Sequence, residues 1–214
     1  GFITMYMCHE TMRRAVLQKF YEIKGWKCES IDQLKDKIES RSEANSIVNS
    51  LKICDPAVGS GHFLVSALNE IIAIKSELDI LCYRNGNRIR NYLVEIANDE
   101  LIITDKESED IFEYRLNEKD RPVDYLQEIQ ETLFHEKQTI IENCLFGVDI
   151  NPNSVNICRL RLWIELLKNS YYNQDSGYKT LETLPNIDIN IKCGNSLVSR
   201  FHLDADLSKA LKTI

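Results

Sequence analysis

Apolar residues return at four- and three-residue spacing through "ETMRRAVLQKFYEIKGW", at Met12, Val16, Phe20 and Ile23, which predicts an amphipathic helix that Gly25 can stop. Residues 30–50 are polar and charged, with Ile31, Leu34 and Ile38, then Ile47, Val48 and Leu51, as anchors. Two short helices fit that pattern, the first capped by Ser30. "LKIC" at 51–54 reads as a short strand. "GHFLVSALNEIIAI" follows with a wide stripe of Phe63, Leu64, Ala67, Leu68, Ile71 and Ile72, the face needed by a helix that lies on a sheet.

From 75 to about 124 the pattern weakens, and apart from "RNGNR" at 84–88 there are few turn signals. The expectation is an inserted helical excursion with a flexible acidic portion. Helical spacing resumes at Leu126, Ile129, Leu133 and Ile140, although Lys137 interrupts the stripe. "CLFGVD" at 144–149 is a compact apolar strand ending in an acid. Asn151 can cap the next helix, with Pro152 at its first position and Val155, Cys158, Leu162, Trp163, Leu166 and Leu167 on its buried face. In "NIDINIKCGNSL", Ile187, Ile189 and Ile191 alternate with Asp188, Asn190 and Lys192, as in a half-exposed strand at a sheet edge. Strand, helix, excursion, strand, helix, strand makes an α/β fold, a partial doubly wound parallel sheet. Residues 1–50 form an N-terminal helical segment. Residues 51–214 form the half-domain, with the helical acidic insertion at about 75–140.

Composition is that of an ordinary globular chain, with 43% hydrophobic and 28% charged residues. The formal net charge of −7 argues against a protein that coats nucleic acid generally. The charge is uneven: residues 95–136 hold 14 acids against 4 Lys/Arg, a net of −10, which leaves +3 for the rest. A DNA-facing surface must therefore lie outside that segment. Seven cysteines without a C-x-x-C pair read as reduced thiols in a cytoplasmic protein. Zinc held by Cys8, His9 and distant partners has no ligand spacing behind it. No apolar run approaches the ~18 residues of a membrane span.

In an open parallel sheet, ligands bind beyond the carboxyl ends of the strands. Three such ends carry Asp55, Asp149 and the "GNS" at 194–196. In "DPAVGSG", Gly59 and Gly61 let the backbone approach a ligand, and the following helix start favours a negative group. The Lys and Ser/Thr of a P-loop are absent, which argues against a triphosphate. Asp55 at the strand end repels a pyrophosphate and suits a ligand bearing both a cation and a carboxylate. The plain alternative is that Asp55 caps the turn and Pro56 stiffens it. Asp149 is placed to grip ribose hydroxyls, but it follows Gly61 by 88 positions, against ~20 in dinucleotide folds. Only an insertion reconciles the two; otherwise Asp149 is simply an acid before a helix. Asn195 offers the donor and acceptor of an adenine edge, or forms a Gly-Asn turn.

Together, "DPAVGSGHFL", "LFGVDINPNSVNICRLRLWIELL" and "IKCGNSL" resemble the cofactor motifs of adenine-specific DNA methyltransferases that use S-adenosylmethionine (SAM), above all the large fused restriction–modification enzymes and related phage-defence methylases. The resemblance spans about 1–199 and is strongest at 52–64 and 146–167. It implies a Rossmann-like SAM fold. Asp55 and Pro56, with the backbone from Ala57 through Gly59 to Gly61, would hold the methionine portion of SAM. Asp149 would hold the ribose, Ile150 would pack on the adenine, and Asn195 would meet its edge, where relatives often carry Asp. The family's aromatic-Tyr-Thr-Pro stretch, which closes over SAM, corresponds to "GFITMYM"; Thr4 matches the threonine and Met5 stands in place of the proline.

The family's catalytic Asn/Asp-Pro-Pro-Tyr/Phe does not occur: the four prolines, Pro56, Pro122, Pro152 and Pro185, are never adjacent. The reading is therefore the SAM-binding part of a DNA adenine methyltransferase, inactive alone, which meets double-stranded DNA through a downstream part. A half-sheet leaves its first strand as an open edge, so self-association is expected. The rival readings are an RNA or protein amino-group methyltransferase and a non-catalytic interaction module built on the acidic segment. A nicotinamide-binding domain is the weaker rival, because G-x-G-x-x-G is absent.

Overall fold

A computed structural model describes residues 2–187 and 190–198, and within them the chain is α/β. In chain order the elements are α1 (Phe2–Lys24), α2 (Ile31–Lys35), α3 (Arg41–Asn49), β1 (Ile53–Asp55), α4 (His62–Glu77), β2 (Tyr92–Ala97), β3 (Glu100–Asp105), α5 (Asp124–Asn143), β4 (Leu145–Asp149), α6 (Pro152–Leu167) and β5 (Ile191–Cys193). Helix α1 buries Cys8, Met12, Val16 and Phe20, one residue per turn. Ile23, expected on that stripe, is 51% exposed, and Trp26 stacked on Phe20 closes this end instead. Gly25, at φ +70°, donates its N–H to Tyr21 O and ends the helix in the left-handed conformation that suits glycine. The Ser30 and Ser40 hydroxyls cap α2 and α3 by accepting from Gln33 N and Glu43 N.

The central sheet is parallel, in the order β1-β4-β5, which is the expected βαβαβ half of a doubly wound fold. Ile53, Leu145, Gly147 and Ile191 lie on its covered face, beneath α4 and α6. The strand expected over 187–193 is shorter: β5 begins at Ile191, and Asp188 and Ile189 lie outside the described residues. Among the described residues β5 and β1 are the two edges.

The expected helical excursion is corrected. After α4 the chain forms an antiparallel β2–β3 hairpin, and only α5 is helical. Tyr92 and Val94 alternate inward against Leu93 and Glu95 outward. Asn98 and Asp99 both have positive φ, 54° and 69°, the backbone of a two-residue primed turn.

Helix α4 lies between α1, the hairpin, α5 and α6 and is buried nearly all round. Its polar residues need partners there, and the elements that cover it supply them. The Ser66 hydroxyl donates to Asp99 Oδ1 (2.7 Å), and Asn69 Nδ2 donates to Asp99 O (2.9 Å). Glu70 accepts from Arg13 on α1 at 3.1 Å. Lys75, fully buried, donates to Asn49 Oδ1 at 2.5 Å and to Glu136 Oε2 at 2.6 Å. Lys137, which interrupts the apolar stripe of α5 in the sequence, is 2% exposed and donates to Glu165 O and Oε2 at 2.9 and 3.3 Å. Burial draws its pKa down, opposed by Glu165.

Removing one partner of a buried ion pair strands the other. Lys75→Ala is therefore expected to cost about 3 kcal/mol of stability. The Lys75→Ala/Glu136→Ala double variant should cost less than the two single changes added together. Urea unfolding of the four proteins in the cycle measures this; additivity would mean that the pair does not interact.

Candidate functional site at the carboxyl ends of the strands

The turn from β1 to α4 is fixed from three sides. Within it, Asp55 Oδ1 accepts from Ala57 N at 3.0 Å, so the turn-capping alternative is realised, while Oδ2 has no described protein partner. From β4, Asp149 Oδ2 accepts from Gly59 N at 2.9 Å, and Oδ1 accepts from Asn151 N at 2.8 Å. From α6, Cys158 packs beneath Gly61. A Cβ on Gly61 would stand 2.6 Å from Cys158 Sγ and 3.2 Å from its Cα, and the φ of +81° already disfavours a side chain. Burial pushes the Cys158 thiol up to about 11, helped by Asp55 and Asp149.

Gly61 caps α4 without a side-chain hydrogen bond, so the first N–H groups of the helix keep their capacity for an anion. An open cavity of about 400 Å³ lies against this turn, lined by Thr4 and Met7 of α1 and by Asp55, Pro56, Ser60 and His62 among others. Residues 2–7 of the "GFITMYM" stretch are thus the first turns of α1, which place Thr4 beside Asp55, while Gly1 lies outside the described residues.

Asp149, Ile150 and Asn195 do not line that cavity. They meet the turn through Gly59 and form a second group. Gly194 N donates to Asp149 O at 2.9 Å, and the Cys193 thiol lies 3.6 Å from Ile150 O. Asn195 Oδ1 accepts from Leu197 N at 3.0 Å. The Ile150 side chain is 72% exposed beside these groups. All nine residues singled out in the sequence therefore gather at one end of the sheet, in two groups joined by the Gly59–Asp149 hydrogen bond. The insertion explains the 88-position gap: the hairpin and α5 occupy it, while β1 and β4 remain direct neighbours.

Two further residues join the rim. Arg161 places Nη1 at 2.9–3.0 Å from the ring nitrogens of His62. Partial burial and the Arg161 charge lower the His62 pKa. Arg159 on the same helix donates to Ile191 O, with Nη2 at 2.6 Å, and ties α6 to β5. Neither contact has a local sequence signature, because each partner is remote in the chain. The arrangement offers carboxylate acceptors for hydroxyl or ammonium groups, backbone donors for a carboxylate, and no row of cations for a triphosphate.

Gly61 and Gly25 share a positive φ, but only Gly61 is crowded; nothing lies within 4 Å of a Cβ at Gly25. Gly25→Ala is expected to cost about 1 kcal/mol, whereas Gly61→Ala should cost about 3 kcal/mol. Thermal and urea unfolding of the two variants compare them directly; equal losses would mean that the Cys158 contact yields freely.

The family model described as "MmeI, DNA-methyltransferase domain" matches residues 31–206. The chain is also 32% identical over 209 residues to a protein of Methanocaldococcus jannaschii whose name assigns it to the type II restriction enzymes and methyltransferases. That alignment covers 92% of this chain and 14% of the relative, so the chain spans only a small part of the relative's length. No solved structure matches the chain. No helix among the described residues is long and apolar enough to cross a membrane. The turn held between two strand-end acids thus stands in a chain that belongs to the MmeI DNA-methyltransferase domain family.

Proposed function

We propose that the chain is the SAM-binding part of an adenine-specific DNA methyltransferase. The observation that carries this reading is the Gly59–Asp149 hydrogen bond, which seats the glycine turn beside a carboxylate on the neighbouring strand. Asp55 Oδ2 would accept from the ammonium of SAM, while the first N–H groups of α4 would meet its carboxylate. Each Asp149 oxygen keeps a further lone pair for a ribose hydroxyl. The exposed Ile150 would cover one face of the adenine, and Asn195 would meet its edge. Thr4, Pro56, Ala57 and Gly61 would shape the methionine end. SAM would supply an electrophilic methyl group, and the residues of this chain bind and orient it.

Within this reading, residues 1–50 are a helical segment that braces α4, and 51–214 are the cofactor half-domain. Adenine as the target rests on the resemblance of the motifs. The base would be extruded from duplex DNA and positioned by a downstream part that adds its strands to the free edge of β1. Metal ligation has no role in it.

Calorimetric titration with SAM is expected to give saturable binding. Asp149→Ala should weaken it at least about tenfold, or ~1.4 kcal/mol, while an Ile23→Ala control should not. Titration without saturable heat would overturn the reading. The sequence lacks Asn/Asp-Pro-Pro-Tyr/Phe, so the chain by itself should transfer no labelled methyl groups to duplex DNA. Incorporation above a no-protein blank would place the catalytic groups within these 214 residues.

A further inference from the structure

At the other end of α4, a cavity of about 440 Å³ is lined by Arg41, Arg88 and Arg90, with Asn87, Asn91 and Tyr83. We propose that this is a phosphate-binding site that grips the backbone of duplex nucleic acid, separate from the cofactor turn. No carboxylate lines it, although the chain carries a net charge of −7.

The turn itself presents the cations. Tyr83 N donates to Asn87 O, Gly86 N donates to Tyr83 O, and Cys82 bridges antiparallel to Arg88. Ile89 is buried between Arg88 and Arg90, so the two arginines project together on the opposite side of the extended chain. Arg41, in the first turn of α3, completes the group.

The donors are underused. Arg41 and Arg90 are exposed and have no ion partner among the described residues, and the side-chain amides of Asn87 and Asn91 have no described partner. Arg88 Nη1 reaches Asp79 Oδ2 at 2.9 Å, but that same oxygen takes Lys35 Nζ at 2.8 Å. One carboxylate is thus shared by two cations, and the cluster keeps an excess of positive charge. Arg88 Nε is buried with no acceptor. A buried donor beside an open cavity awaits an acceptor brought from outside. Planar guanidinium forks match phosphate oxygens, and amides complement them.

Helix α4 separates this site from the glycine turn by its length, about 24 Å at 1.5 Å per residue. Nucleic acid held here is not the nucleotide undergoing chemistry but a flank of the same or a neighbouring duplex. Its identity as nucleic acid rests on the DNA reading of the family; the anion site itself rests on the arginines.

The test is fluorescence anisotropy of a labelled 30-base-pair duplex with the whole chain across a salt series. The Arg41→Glu/Arg90→Glu variant should bind at least tenfold more weakly at low salt. The slope of log K against log salt should fall by about 2, as when two phosphate contacts are lost. Arg41→Lys/Arg90→Lys, which keeps the charge, should retain most of the slope. Unchanged affinity and slope in the charge-reversed protein would overturn the proposal. So would saturable binding of inorganic pyrophosphate in the micromolar range with no effect of the variant on the duplex, which assigns the site to a free phosphate ligand. A SAM titration of the same variant should match the unaltered chain. If neither protein binds SAM while the duplex result holds, the cofactor reading fails alone.

Discussion

Enclosing α4 is the constraint from which the rest of the structure follows. A helix with neighbours on every side cannot keep its polar residues in water, so each must be answered by the element that covers it. Ser66 and Asn69 are answered by Asp99, Glu70 by Arg13, and Lys75 by Asn49 and Glu136. Apolar packing alone would let α1, the hairpin and α5 slide along α4. The polar anchors give each of them one position. Helix α4 is therefore set at a fixed height above the sheet, and its N-terminus is where the glycine turn has to be.

That turn inherits its shape from both of its neighbours. Asp149 spends one oxygen on Gly59 and the other on the start of α6, so a single carboxylate aligns two loops that are 90 residues apart in the chain. Cys158 adds a steric limit beneath Gly61. The same acid is thus a structural tie and a candidate acceptor, and any substitution there acts through both roles.

The βαβαβ frame was readable because its pieces are local: the stripe of α4, the Asn151-Pro152 start of α6, and an acid closing β1 and β4. The placement of Asp55 and Asp149 at the strand ends followed from the same signals. The insertion was misread for a physical reason. Its acids dominate the composition and concealed the alternation of Tyr92, Val94 and Ile96 about Asn98-Asp99, a turn signal in plain view. Lys137 looked like a fault in an apolar stripe because its partner, Glu165, lies on another helix. Arg161 at His62 was invisible for the same reason. Pairings across space have no spacing along the chain.

The thiol of Cys158 is shielded by Gly61 and held protonated. An alkylating reagent can reach it only when α6 lifts away from the turn, whereas Cys54 and Cys193 lie exposed nearby and react from the resting conformation. The molecule thus carries its own clock. The lag between the exposed cysteines and Cys158 counts how often the glycine turn breathes, and a ligand that braces the turn would lengthen that lag without touching the sulfur.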